Sequence, residues 1–87
     1  MTADFIIAEL QSVGTPAKAV HLQRFFKTGP GQYGEGDVFI GVVVPHTRSI
    51  AKANLGTPVS ELHRLLRSDY HEARLCALLI LTERFKK

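Results

Sequence analysis

The chain has 87 residues, 45% of them apolar, and a net charge of +3 from 11 Lys and Arg against 8 Asp and Glu. That is room for one small domain of ordinary globular composition, with a mild basic excess compatible with a polyanionic partner. The longest apolar run, Leu75–Leu81, has seven residues, far short of the roughly 18 a membrane helix needs, and no basic region precedes the apolar residues of the N-terminus, so neither a membrane span nor a secretory leader is expected. The single cysteine, Cys76, excludes an internal disulfide and fits a reducing compartment, the cytoplasm.

In chain order, Thr2 is placed to cap a helix from about Ala3 to Val13, with Phe5, Ile6, Leu10 and Val13 on one face, and Gly14 supplies a left-handed stop. Thr15-Pro16 opens a second helix that runs to about Phe26 and carries Val20, Leu22, Phe25 and Phe26 as its apolar residues, with Lys18 and His21 facing water. Gly29, Gly31, Gly34 and Gly36 then make helix too costly in backbone entropy. The β-branched run Val38–Val44 has strand propensity, but a lone strand leaves its hydrogen-bonding groups unpaired. We therefore expect an extended plug buried between helices, with Gly41 allowing close backbone approach. A third helix runs from about Pro45 to Asn54, turning Ile50 and Ala51 inward and setting Arg48 and Lys52 one turn apart on another face. After Gly56, Thr57-Pro58 repeats the cap signal and starts a fourth helix to about Arg67, with Val59, Leu62, Leu65 and Leu66 as its apolar face. Ser68 or Asp69 caps the last helix.

The last helix is apolar nearly all round through LCALLIL, the pattern of an element covered on most sides. Leu78, Leu81 and Phe85 lie at i, i+3 and i+7 and form the stripe expected to lack a partner within the chain, so that self-association or marginal stability follows.

Several chemical readings fail on context. Gly29–Gly34 matches G-x-G-x-x-G, but a helix precedes it and an apolar run follows, the wrong setting for a dinucleotide cradle. His21, His46, His63 and His71 have no metal spacing, and no second thiol exists. Ser60 and His63 sit one turn apart with neither carboxylate nor strained elbow. Glu72 reads as first-turn charge that suits the helix dipole, and Cys76 as an inert core thiol. No catalytic residue, metal or cofactor is expected from these patterns.

The pair of helices from Thr57 to Phe85, with Asp69 in its turn and Ala73-Arg74 followed by Ala77, looks like a HEAT-type repeat. Phe25-Phe26-Lys27-Thr28-Gly29, Tyr33-Gly34-Glu35-Gly36-Asp37-Val38-Phe39-Ile40-Gly41-Val42, Pro45 and Arg48 resemble the bacterial DNA alkylation repair family, the AlkD-like DNA glycosylases. The resemblance covers nearly the whole chain and the N-terminal third of that family's usual length. It implies an all-α fold: HEAT-like antiparallel helix pairs in a superhelix, about five helices with one Gly-rich irregular connection. It implies damaged double-stranded DNA as the partner, held on the concave face, and in the full-length form hydrolysis of the N-glycosidic bond of an alkylated base. The family's excision residues, an aspartate and tryptophans of later repeats, have no counterpart here, since the chain has no tryptophan. Lys27, Arg48 and Lys52 are the candidate phosphate contacts, Tyr33 a candidate for packing on a sugar or base, and Phe26 the match to the family's N-terminal groove aromatic. The chain alone is expected to be a non-catalytic DNA-binding segment. The rival readings are a HEAT-type protein–protein module and a relative that binds DNA structures without excision.

Overall fold

A computed structural model describes residues 1–25 and 38–86, the side chain of Phe25 excepted. Five helices account for the fold: α1 (Ala3–Val13), α2 (Pro16–Phe25), α3 (Val44–Ala53), α4 (Val59–Leu66) and α5 (His71–Phe85). Their starts follow local chemistry only in part. At α1 the Phe5 amide donates to Thr2 Oγ1 at 3.1 Å, and at α2 the Lys18 amide donates to Thr15 Oγ1 at 3.2 Å, so both N-caps are as the sequence implies. The two later caps differ. Pro58 holds the N-cap position of α4, and the Thr57 hydroxyl turns back to donate to the Asn54 carbonyl at 2.6 Å. Tyr70 holds that position at α5, while Ser68 Oγ accepts from the Tyr70 amide in the turn before it.

α5 is the axis of the packing. It lies against α3 and α4, and α1 touches all three. Its inner face is Ala73, Cys76, Ala77 and Ile80, all fully buried. Three of those four side chains are small, which lets the helix backbones approach closely. The rest of the core comes from Ala3, Ile6 and Leu10 of α1, Ile50 and Ala51 of α3, Leu62 and Leu65 of α4, and Val42. Phe5, Val20 and Val59, assigned to apolar faces by periodicity, are at least half exposed. Each sits at the edge of its stripe, where a small molecule has no further layer to cover it.

The α4–α5 turn is tied by Arg74, whose guanidinium donates to the Ser68 carbonyl at 2.7 Å. Further along α5, Arg84 donates to the Thr57 carbonyl at 2.9 Å and so links its C-terminal end to the α3–α4 connection.

Residues 38–43 run extended into the core, as the plug reading requires. Among the described residues there is no sheet: Val38 makes one isolated bridge to Tyr70. Phe39, Gly41 and Val42 are buried. Gly41 has φ +98°, a conformation that favours glycine. Gly14, expected to be left-handed, is instead extended at φ −77°. Its lack of a side chain serves packing, because a Cβ there would lie 2.6 Å from Ile40 Cγ2 and 2.7 Å from the Ile40 carbonyl oxygen.

Candidate nucleic-acid interface

The plug raises an immediate accounting question: where do its amides go, with no neighbouring strand? They converge on one side chain. Ile40 donates to Glu72 Oε1 at 2.9 Å, and Gly41 and Val42 donate to Glu72 Oε2 at 2.8 and 3.0 Å. Three successive amides turned towards one anion form a backbone nest. Glu72 is 1% exposed, so the carboxylate is removed from water and its desolvation is offset by charge-assisted hydrogen bonds. It also lies in the first turn of α5, where the helix dipole favours negative charge. The dipole reading of Glu72 is therefore incomplete, since its main role is to replace a missing strand. The signal was present in the sequence. Residues 72, 73, 76 and 80 share a helix face, and the other three are apolar, so an acid in that register is buried and needs donors.

The same segment joins two helices. Thr15 donates its amide to the Gly41 carbonyl at 3.2 Å, at the entrance of α2. Val43, at the other end of the segment, is the N-cap of α3. α2 packs against no other helix among the described residues. Its place is set by the backbone of residues 40 and 41 pressed against Gly14 and Thr15.

α2 and α3 share a property that no other helix here has. Neither PAKAVHLQRF nor VPHTRSIAKA contains an acidic residue. Arg48 and Lys52 are exposed on the outer side of α3, opposite Thr47, Ile50 and Ala51, as their spacing implies. Lys18 and Arg24 are exposed on α2. None of these four cations makes an ion pair among the described residues. Arg64 of α4 differs, lying 3.1 Å from Glu61 and 3.5 Å from Asp4. Lys18 and Arg24 were not among the candidates read from the sequence, and the absence of acid from their helix is the signal that finds them. Lys27, Tyr33 and Phe26 lie outside the described residues.

The other features give little chemistry. A cleft of about 450 Å³ between the start of α1 and the α4–α5 turn is lined by Asp4, Arg64, Arg67, Asp69 and Tyr70, charges of both signs that largely offset one another. Among the described residues, no group of three or more His, Cys, Asp or Glu side chains is placed to hold a metal ion. Nor is any helix among them long and apolar enough to cross a membrane. Cys76 is buried, and burial, with a smaller contribution from the charge of Glu9, pushes its thiol up to about 11. It is an inert core thiol, as read from the sequence.

Neither the curated proteins nor the solved structures give a match to the chain. The model of one protein family, described as DNA alkylation repair enzyme, matches residues 6–87. That span takes in all of α3, α4 and α5, the plug and its glutamate, and both acid-free helices. The chain belongs to the DNA alkylation repair enzyme family.

Proposed function

We propose that this chain is a DNA-binding segment of a DNA alkylation repair protein, working in the cytoplasm on damaged duplex DNA through phosphate contacts. Arg48 and Lys52 on α3 supply contacts, joined by Lys18 and Arg24 on α2 and by Lys27. Phe26 and Tyr33 meet the sugar or base. The observation that carries the reading is the pair of acid-free helices with four exposed cations that make no ion pair among the described residues. Cations without carboxylate neighbours are free to exchange their counterions for phosphates.

The chain by itself does not excise bases. In support, it has no tryptophan, and the one fully buried carboxylate among the described residues, Glu72, is spent on three backbone amides. A general base needs an acceptor aimed into a cleft. The HEAT-like pairing of α4 with α5 fits a solenoid whose next layer would rest on α5. The outer face of α5 supports a second reading, association of copies of this chain, because Leu78 is 53% and Phe85 79% exposed.

The test is the affinity for a fluorescent duplex between 50 and 200 mM salt. Five phosphate contacts imply a log–log slope of roughly −4 to −5. Salt-insensitive binding, or none, overturns the DNA reading.

A further inference from the structure

We infer that Glu72 is the positioning residue of this interface, a latch that sets α2 in place relative to α3. The inference rests on the DNA reading only for its consequence; the latch itself rests on geometry. From one side, the Glu72 carboxylate holds the amides of Ile40, Gly41 and Val42. Next to it, the His71 amide donates to the Val38 carbonyl at 2.8 Å, and the His71 ring stacks on Phe39 with centroids 4.4 Å apart. From the other side, the α1–α2 corner leans on the same backbone. Thr15 donates to the Gly41 carbonyl, and Gly14 lies so close to Ile40 that a Cβ would not fit. A Cβ on Gly41 would lie 2.8 Å from the Ala19 amide nitrogen, inside the first turns of α2.

The order of parts is therefore α5, Glu72, the plug, then the α1–α2 corner. The plug is a shim one backbone thick. α2 meets no other helix among the described residues, so what fixes the shim fixes α2. The shim continues directly into Val43, the N-cap of α3. One buried carboxylate thus sets the origin of both cationic helices, although at 1% exposure it is out of reach of any DNA they bind.

Loss of the latch has a specific consequence. Of the nest, Val42 belongs to the core built with α1, α3, α4 and α5 and Ile40 packs against it, whereas no described side chain of α2 does. Breaking the nest opens the shim and α2 as a local unit, below the threshold of global unfolding. Amides that are local to the latch should then exchange faster while those of the core do not.

The test is hydrogen exchange on the full chain carrying Glu72→Gln, which keeps the shape but sets an amide NH₂ against the plug's donors. Amides of Thr15, Ile40, Gly41 and Val42 should exchange at least tenfold faster than in the wild type, with the Ile80 amide changed less than twofold. In parallel, the salt slope for duplex DNA should drop by about two units, the share of Lys18 and Arg24 at roughly 0.9 per phosphate, while that of α3 remains. If Glu72→Gln does not fold, Gly41→Ala attacks the same joint from the α2 side and should give the same exchange pattern. Equal acceleration at Thr15 and Ile80, or none at Thr15, overturns the latch. A latch-type exchange pattern in a protein that never binds DNA leaves the latch standing and overturns the DNA reading, so the two failures are distinguishable.

Discussion

Cys76 shows how burial converts a side chain into a pH-dependent term. Its thiol is pushed up to about 11, while the unfolded chain titrates near the ordinary 9.0. Below pH 9 both states hold the proton, and the thiol makes stability no different. Between about 9 and 11 the unfolded state gives up its proton and the folded state keeps it, so folding stability falls as pH rises. At about 1.4 kcal/mol per pKa unit, the loss approaches roughly 2–3 kcal/mol. Denaturant titrations at pH 8 and pH 10.5 should show it for the wild type, and Cys76→Ala should flatten that part of the profile. At the same scale, Gly14→Ala should destabilise by about 1–3 kcal/mol through overpacking. The added methyl meets Ile40 rather than open solvent. A change within about 0.5 kcal/mol in thermal or chemical melts would mean that the corner yields freely.

Among the elements, α3 and α5 carry separate tests. Arg48→Ala removes an exposed cation from the middle of α3. Duplex affinity should weaken and the salt slope should shrink by about one unit, with stability within about 0.5 kcal/mol of the wild type. An unchanged slope assigns Arg48 no phosphate. On α5 the stripe read from the sequence divides. Leu78 and Phe85 are exposed, whereas Leu81 is half-buried and packs against the core. The Thr82 hydroxyl beside them donates to the Leu78 carbonyl at 2.8 Å, so even this polar group is satisfied within the helix. Sedimentation at several concentrations should detect association of the wild type and a weaker tendency in Leu78→Ser. A strict monomer at every concentration would leave the stripe without that role. Five helices were legible from caps and periodicity because those signals are local. The termini shifted where a bond within the preceding turn claimed the capping side chain, as at Thr57, whose hydroxyl donates to the Asn54 carbonyl. Rotation of a helix about its axis is not local, which is why Phe5 and Val59 were assigned inward and lie outward.

For the whole molecule, family membership and the site are of different standing in the sequence. The strings around the Gly-rich stretch carry the family resemblance, and the family model matches residues 6–87. The exposure of Arg48 and Lys52 on one side of α3 follows from spacing alone. The burial of Glu72 is legible from its register on α5, but its donors needed the fold, because they lie 30 to 32 residues away and no local pattern marks such a pairing. Lys18 and Arg24 were passed over because exposed charge is the default on a helix surface. The proposed reading denies base excision to this chain alone. Incubation of this chain with duplex carrying 3-methyladenine or a 7-methylguanine analogue should release no base above a buffer control. Measurable release would place a reacting group within these 87 residues and refute the non-catalytic reading.

The nest around Glu72 has a corollary for which substitutions this chain tolerates. Its donors are main-chain amides, which every residue but proline provides. The acid is therefore constrained by partners that leave no trace in side-chain identity: position 40 is answerable to the nest only for its backbone, while position 41 is held to glycine by φ +98° and the crowding from Thr15. Substitution at Glu72 has no compensating exchange of charge or size available at 40 or 42, because nothing at those positions' side chains engages it. Covariation, which reveals contacts between side chains, is blind to a joint of this kind. An invariant acid with no coupled partner is the pattern such a joint leaves behind.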